Sequence, residues 1–217
     1  MIRIVIADDH TIVREGLKQV LSAAPDLEIV GEAQNGHEVL QRVRGQDFDV
    51  LLLDMSMPGK SGIELIKLVR AEKPKLRIMV LSMHQEPQYA VRAIKAGASG
   101  YLTKEGASAQ LVSAIRKVAG GGAFITDAVA EQLALGAMPQ TGGPPHHLLS
   151  DREFQVLGLL VAGKTVSEIA EQLNLSAKTV STHKARIMQK MNMSNPTELI
   201  RYAIQHGLIG DSDSGPA

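Results

Sequence analysis

Apolar residues in the first 120 positions fall into two alternating patterns. Short runs rich in β-branched residues and leucine predict five strands that are buried on both faces. These runs are residues 2–7, 27–30, 50–54, 78–81 and 99–102. Between and after them, apolar residues recur at helical spacing, and proline or glycine marks several helix ends. Regular alternation of strand and helix predicts an α/β doubly wound fold with a five-stranded parallel sheet.

Polar residues stand where four of these strands end. Asp8 and Asp9 follow the first strand, Asp54 ends the third, Ser82 follows the fourth, and Lys104 follows the fifth. Because right-handed crossovers bring the carboxyl ends of parallel strands to one edge, we expect these side chains to share a cleft. Taken singly, an aspartate here is an ordinary helix N-cap and Lys104 an ordinary solvated charge. Their convergence on one edge favours a binding site.

Three carboxylates in one cleft repel one another unless a cation neutralises them. A hard divalent ion, Mg²⁺ or Mn²⁺, prefers carboxylate oxygens, water and phosphate as ligands. His10 and His84 also flank the predicted cleft. We exclude both histidines from the predicted site because its chemistry does not require them.

Four short motifs, in order along the chain, carry a resemblance to a known family. They are the aspartate pair at 8–9, LLLDMSMPGKSG at 51–62, LS at 81–82 and YLTKEG at 101–106. Together they make residues 1–120 similar to the receiver domain of bacterial response regulators. That resemblance implies a flavodoxin-like sheet with the strand order 2-1-3-4-5.

The resemblance also implies how the acidic cleft works. Asp9, Asp54 and the backbone carbonyl of Ser56 would hold the metal ion, with Asp8 acting through a water molecule. Asp54 would be the phosphoacceptor, since a carboxylate can attack phosphorus and form an aspartyl-phosphate.

Three further residues take contact and switch roles by the same resemblance. Lys104 would pair with the phosphoryl group, and the Ser82 hydroxyl would donate to one of its oxygens. Tyr101, on the last strand, would turn between exposed and buried positions. The charge of the phosphoryl group would thereby favour one of the two positions of Tyr101.

The middle of the chain has the composition of a linker. Residues 136–147 (GAMPQTGGPPHH) are dominated by glycine and proline, and a short helix is possible over 127–135. Two adjacent histidines, His146 and His147, offer too few ligands for a metal site. We therefore predict a receiver domain over 1–120, a linker over 121–148, a second domain over 149–210 and a disordered tail over 211–217.

The pattern of the second domain predicts a small all-α bundle of four helices. Ser150 with Glu153, and Thr165 with Glu168, have the spacing of capping boxes. Two further helix starts are Ser176 and the pair Asn195–Pro196, and Gly207 ends the last helix. The two helices over 165–190 form a helix-turn-helix candidate.

The third of these helices carries small polar residues beside cations, which suits a helix in the DNA major groove. Four cations and no acidic residue lie between Gln172 and Thr197, namely Lys178, Lys184, Arg186 and Lys190. The stretch LSDREFQVLGLLVAGKTVSEIAEQLNLSAKTVSTHKARIMQKM resembles the LuxR-type helix-turn-helix, and the domain order resembles the NarL/FixJ response regulators. The resemblance implies DNA contacts by Thr165, Ser176, Lys178, Thr179, Ser181, Thr182, His183, Lys184 and Arg186.

The resemblance does not specify a DNA target sequence, and it leaves two interpretations of the fourth helix. Many relatives have lysine where this chain has Ser181, so the DNA target sequences of those relatives are not assigned to this chain. The fourth helix would be a dimer contact through Leu199 and Ala203, although these residues and Ile204 could equally be core.

Composition narrows the class of protein. The net charge is zero, there is no cysteine, and no run of eighteen apolar residues occurs. These features argue against disulfides and a membrane span, and they fit a cytoplasmic protein. The local basic stretch is the exception in an otherwise neutral chain.

Together these observations predict a transcriptional regulator rather than an enzyme. A cognate histidine kinase would phosphorylate Asp54 in a Mg²⁺-dependent reaction, which would control homodimer formation and binding to double-stranded DNA. One alternative is an enzyme whose catalytic output domain is controlled by the receiver. The second half of this chain has no clustered nucleophile and base, which argues against that alternative. A second alternative is an RNA-binding output domain. The second half has only Phe154 and Tyr202 as aromatic residues that could stack on bases, which argues against RNA binding. A DNA binder with a vestigial receiver remains the third alternative.

Overall fold

The chain folds into two compact units, residues Met1–Leu133 and Ala134–Ala217. The computed structural model describes residues 1–57, 62–83, 87–135, 144–206 and 208. Residues 58–61 of the LLLDMSMPGKSG motif, His84, most of the glycine-rich linker, the Gly207 helix end and the tail at 211–217 lie outside these ranges.

The first unit is built on a five-stranded parallel sheet in the order β2-β1-β3-β4-β5. The strands are β1 (Ile2–Ala7), β2 (Leu27–Ala33), β3 (Val50–Asp54), β4 (Arg77–Ser82) and β5 (Gly100–Thr103). The helices between and after them are α1 (Thr11–Ser22), α2 (Gly36–Gly45), α3 (Gly62–Glu72), α4 (Pro87–Ala96) and α5 (Ala107–Ala119). The predicted doubly wound fold and strand order are confirmed.

Alternate residues of β3 enter two separate cores, one on each face of the sheet. Leu51 and Leu53 join the core formed with α2, α3 and α4. Val50 and Leu52 join the opposite core, formed with α1 and α5. The strand is therefore apolar at every position before Asp54, which explains the unbroken VLLL run.

The first unit extends past the predicted boundary at residue 120. Phe124 pairs with Gly100 as an added parallel bridge beside β5, and Tyr101 N–H donates to the Phe124 carbonyl at 2.9 Å. Helix α6 (Asp127–Leu135) follows, and its Val129 and Leu133 pack in the same core as Leu51. Helical periodicity stops at residue 120, which is why the sequence predicts a boundary there. The chain nevertheless stays on the sheet because its backbone groups pair with β5.

The second unit is helical. A single 3-10 turn (Pro145–Leu148) precedes α7 (Asp151–Val161), α8 (Val166–Gln172), α9 (Ala177–Lys190) and α10 (Pro196–Gln205). Both predicted capping boxes are formed, at Ser150 with Glu153 and at Thr165 with Glu168. The 3-10 turn lies in the stretch that we predicted as linker.

Helix α7 is followed by a backbone conformation that only glycine adopts easily. Gly163 has a φ of +79°, and its N–H donates to the Leu160 carbonyl at 3.1 Å. This left-handed conformation closes the last turn of α7. Among the described residues, no helix is both long enough and apolar enough to span a lipid bilayer.

Candidate functional site

The ends of β1, β3, β4 and β5 meet at one edge of the sheet, as predicted. Pairing of Ala7 with Leu53 and of Asp54 with Leu81 aligns three of these ends. The Lys104 N–H donates to the Ser82 carbonyl at 2.8 Å, which joins β5 to the same edge. Distant segments of the chain therefore supply one cleft.

Asp54 lies at the bottom of this cleft with Asp8 beside it, and both side chains are only 1% exposed. Lys104 Nζ reaches both carboxylates, at 2.8 Å from Asp8 Oδ2 and 3.2 Å from Asp54 Oδ1. The three residues form a buried charged group in which two anions share one cation.

The charges of the cleft perturb one another. Burial raises the pKa of the Asp54 carboxyl, while Lys104 and the nearby backbone N–H of Ser56 oppose that rise. Burial by itself would lower the pKa of Lys104, but the carboxylates of Asp8 and Asp54 more than offset it and raise that pKa. Lys104 therefore does not fully offset the negative charge of the described carboxylates in this cleft.

The donor atoms of the cleft fit a divalent cation. One ligand atom from each of Asp8, Asp9, His10 and Asp54 lies within 4.8 Å of the other three. Both Asp54 oxygens and Asp9 Oδ1 are buried and accept no hydrogen bond of good geometry from the described residues. Buried carboxylate oxygens in that condition suit a hard, oxygen-seeking ion.

His10 belongs to this group, although we excluded it from the predicted site. Its Nδ1 lies 3.0 Å from Asp9 Oδ1 and 3.3 Å from Asp8 Oδ1. The signal for it was the uninterrupted order Asp-Asp-His after a buried strand. The other excluded histidine, His84, is not among the described residues.

Arg14 supports the backbone of the aspartate pair, and no sequence pattern predicted this role. Its side chain is 6% exposed, and its Nε donates to Glu32 Oε2 at 3.0 Å. Its Nη1 donates to the Asp8 carbonyl at 2.8 Å, which holds the backbone of the aspartate pair. An arginine on an amphipathic helix usually faces solvent, so periodicity alone could not place it inside.

The two remaining cleft residues of the predicted switch are both buried. Ser82 ends β4 at the rim of the cleft and is 0% exposed. Tyr101 lies on β5 and is 7% exposed, which is the inward one of its two expected positions.

In the second unit, α9 presents the expected polar face. Lys178, Ser181, Thr182 and Arg186 are exposed, while Val180 and Ile187 on the other face are fully buried. The side-chain oxygens of Thr165 and Ser176 accept the backbone N–H groups of Glu168 and Thr179 as helix caps. These two residues therefore cap the N-termini of α8 and α9.

Three other predicted DNA contacts on α9 are less exposed to solvent. Thr179, His183 and Lys184 are only partly exposed. Burial lowers the pKa of His183, and the nearby cation Arg152 lowers it further. Both effects disfavour the charged form of the His183 side chain.

Lys190, one of the four cations of the local basic stretch, is paired with an acidic residue of α7. Its Nζ lies 2.6 Å from Glu153 Oε2, and the Glu153 side chain is only 4% exposed. The sequence separation of 37 residues between the partners hid this pair from local analysis.

Helix α10 corrects the predicted dimer contact. Leu199 and Ala203 are 2% and 0% exposed and lie inside their own unit. A dimer contact requires residues that a second chain can reach. The exposed apolar side chains of this helix are Ile200 and Ile204, at 40% and 64%.

Comparison with known proteins agrees with this geometry. Residues 4–116 match the response regulator receiver domain, and residues 147–203 match the luxR family of bacterial regulatory proteins. The response regulator UvrY of Escherichia coli K12 is 38% identical over 209 residues, which cover 96% of each chain.

Solved structures of RcsB are also similar to this chain. RcsB from Salmonella enterica serovar Typhimurium, bound to promoter P1flhDC with the phosphomimetic BeF3−, is 31% identical with a TM-score of 0.69. That match covers 93% of this chain and 97% of RcsB. A structure of two RcsB dimers bound to two parallel DNAs is 32% identical with a TM-score of 0.58, covering 94% and 98% of the two chains.

The receiver match spans more than half of the chain, and the relatives align over nearly all of it. The chain therefore belongs to the response regulators of the NarL/FixJ family: it is a two-component transcription regulator with a receiver domain and a LuxR-type DNA-binding domain, and not an enzyme.

Proposed function

We propose that a cognate histidine kinase transfers a phosphoryl group to Asp54 of this regulator, and that the transfer controls its binding to DNA. The observation that carries the proposal is the buried Asp54 carboxylate, which lies beside Asp8 and in contact with Lys104. Asp54 attacks phosphorus through a carboxylate oxygen, a new P–O bond forms, and the P–N bond to the kinase histidine breaks.

A divalent ion, Mg²⁺ or Mn²⁺, fits the donor atoms of this cleft. Asp9, Asp54 and the backbone carbonyl of Ser56 would hold it, with Asp8 acting through water. Bound there, the ion supplies positive charge to the equatorial phosphoryl oxygens.

The remaining cleft residues respond to the new phosphoryl charge. Lys104 already lies 3.2 Å from Asp54 Oδ1, so a short movement away from Asp8 lets it pair with the phosphoryl group. Ser82 donates its hydroxyl to a phosphoryl oxygen, and Tyr101 changes its position in response. Tyr101 is also bonded through its backbone to Phe124, so a shift of β5 is passed to the segment that leads out of the receiver.

The second unit binds double-stranded DNA through the polar face of α9. Lys178, Lys184 and Arg186 contact phosphates, while Ser181 and Thr182 allow close approach to base edges. Thr165, Ser176, Thr179 and His183 border that contact. The RcsB structure on promoter DNA supports this proposal by similarity.

The active form is a homodimer on two DNA half-sites. The dimeric RcsB assemblies on DNA support this part by similarity. In this chain the exposed Ile200 and Ile204 of α10 are the candidate contacts, in place of the buried Leu199 and Ala203. We place the regulator in the cytoplasm, where both its kinase partner and the chromosome are accessible.

The proposal is tested by DNA affinity before and after treatment with a small phosphodonor in Mg²⁺. Capture of genomic fragments first defines a target, and its affinity is then measured for the wild type and for Asp54→Asn. We expect the phosphodonor to change the affinity of the wild type and to leave that of Asp54→Asn unchanged. Equal responses of both proteins, or of neither, would contradict control through Asp54.

A further inference from the structure

We propose that Arg152 of α7 sets the position of α9 for the recognition of DNA sequence, without itself contacting DNA phosphates. The inference rests on the proposed contact between α9 and DNA, and it adds a positioning residue that lies on a different helix. Helices α7, α8 and α9 pack against one another, so a side chain on one of them can fix how the other two are arranged.

The turn between α8 and α9 is closed by two backbone hydrogen bonds. Asn174 N–H donates to the Glu171 carbonyl at 3.1 Å, and Leu175 N–H donates to the Ala170 carbonyl at 2.8 Å. Asn174 has a φ of +52°, the left-handed conformation that ends many helices. These two bonds do not involve the carbonyl of Leu173, which lies at the same helix end and needs a partner of its own.

Arg152 supplies that partner from α7. Its Nη2 donates to the Leu173 carbonyl at 3.0 Å, and its Nη1 donates to Gln155 Oε1 at 2.7 Å. Leu173 is only 5% exposed, so its carbonyl gains from a donor within the protein. A charged donor makes a stronger hydrogen bond than a neutral one. Arg152 therefore fixes the turn that leads from α8 into α9.

The first turn of α7 also contacts α9. The Glu153 carboxylate, next to Arg152 in the chain, accepts a hydrogen bond from Lys190 Nζ at 2.6 Å. Burial lowers the pKa of His183 on α9, and the positive charge of Arg152 lowers it further, so the guanidinium lies near α9 as well. Two adjacent residues of opposite charge thus hold α8 and α9 to α7.

The placement of α9 matters more for sequence recognition than for general attraction to DNA. Hydrogen bonds to base edges require a fixed position of the helix in the groove, whereas long cationic side chains can follow a shifted phosphate. Arg152 is partly buried, and two of its guanidinium nitrogens already donate within the unit. Loss of Arg152 is therefore expected to weaken binding to the target sequence more than binding to unrelated DNA.

The test measures the affinity of the full-length chain for a captured genomic target and for unrelated DNA of the same length. Both are measured in the condition, with or without phosphodonor, that gives the tighter binding of the wild type to its target. The readout is the ratio of the two affinities, because a loss of folded protein lowers both by the same factor.

Two substitutions of Arg152 are compared with a control. Arg152→Met keeps an aliphatic stem but removes the charge and the donors. Arg152→Lys keeps a cation and a donor for the Leu173 carbonyl. Val156→Ala, at a fully buried position of the same helix, is the control for lost stability.

We expect the ratio to fall at least about tenfold in Arg152→Met, to be largely restored in Arg152→Lys, and to be unchanged in Val156→Ala. The salt dependence of binding in Arg152→Met is expected to equal that of the wild type, since a lost phosphate contact would weaken it by about one counterion.

Four results would overturn the inference. They are a wild-type ratio in Arg152→Met, a ratio in Arg152→Lys as low as in Arg152→Met, an equal fall in Val156→Ala, and a weaker salt dependence in Arg152→Met. If the wild type prefers its target while Arg152→Met keeps that preference, only the positioning role fails. If the wild type shows no preference, the proposed recognition of DNA through α9 fails, and the inference fails with it.

Discussion

Lys104 Nζ lies closer to Asp8 than to Asp54, at 2.8 Å from Asp8 Oδ2 against 3.2 Å from Asp54 Oδ1. The only described cation that touches the Asp54 carboxylate is therefore shared with a second anion. For this reason burial prevails and the pKa of Asp54 is raised. The Asp54 carboxylate, the proposed phosphoacceptor, is therefore a destabilising charge in the folded receiver.

The first prediction concerns the pH dependence of stability. A carboxyl whose pKa is higher in the folded than in the unfolded state destabilises the fold as it ionises. Asp54→Asn is therefore expected to raise the free energy of unfolding of the receiver at pH 7, by on the order of 1 kcal/mol. The gain is expected to shrink as pH falls toward the ordinary carboxyl pKa of about 4, where the unfolded carboxyl is also protonated.

Urea titrations without divalent ions, at several pH values, measure this gain. Asp47→Asn is the control, because the Asp47 carboxylate is exposed and paired with Lys73, which lowers its pKa. It is expected to give no stabilisation. A wild type as stable as Asp54→Asn at neutral pH would contradict the destabilising role of Asp54.

The second prediction separates two lysines of α9. Lys190→Met removes the cation from the buried Glu153 carboxylate and is expected to cost about 1–3 kcal/mol of stability. Lys178→Ala alters an exposed side chain, so its stability is expected to change by less than about 0.5 kcal/mol. DNA affinity is expected to fall in Lys178→Ala, with a salt dependence weaker by about one counterion.

Thermal unfolding and DNA titrations at several salt concentrations check both variants. If Lys190→Met lowered the salt dependence as Lys178→Ala does while keeping normal stability, Lys190 would belong to the DNA-binding face after all.

The third prediction concerns the two faces of α10. Leu199→Ala empties a core position and is expected to cost about 2–5 kcal/mol. Ile204→Ser changes a side chain that is 64% exposed, so it is expected to preserve stability and weaken self-association. Unfolding curves and sedimentation of the phosphorylated protein distinguish the two effects. Normal self-association of Ile204→Ser would exclude this face of α10 as the dimer contact.

The fourth prediction concerns the pairing of Phe124 with β5. A Cβ on Gly100 would lie 2.7 Å from Met79 Sδ and 3.1 Å from the Phe124 carbonyl oxygen. Gly100→Ala is therefore expected to displace the 124 segment, at about 1–3 kcal/mol, and to speed amide exchange at Tyr101 and Phe124. Gly16→Ala is the control, since an added Cβ there meets nothing within 4 Å and lies in a helix. That variant is expected to be slightly stabilised, and exchange as slow in Gly100→Ala as in the wild type would contradict the pairing.

The features that could be predicted from the sequence are those that follow from local pattern and chain topology. The unbroken apolar run before Asp54 indicated a strand covered on both faces, and the handedness of crossovers brought Asp8 and Lys104 to the same edge. The helix starts at Ser150 and Thr165 were also predictable, because a capping box joins residues only three positions apart.

Pairings between distant residues could not be predicted in this way. The Arg14 contact with the Asp8 carbonyl and the Lys190–Glu153 pair depend on how helices dock. The bridge between Phe124 and Gly100 forms across the edge of the sheet, where no periodic signal marks it. On α10, apolar residues occur at neighbouring positions, so only burial distinguishes Leu199 and Ala203 from Ile200 and Ile204.

The most direct test of the central claim is mass spectrometry of the intact protein after incubation with a small phosphodonor and Mg²⁺. We expect the wild type to gain the mass of one phosphoryl group, lost again in alkali or hydroxylamine as an acyl phosphate should be. Asp54→Asn is expected to gain none, while Asp47→Asn behaves as the wild type. Phosphorylation of Asp54→Asn to the wild-type extent would contradict the assignment of Asp54 as the phosphoacceptor.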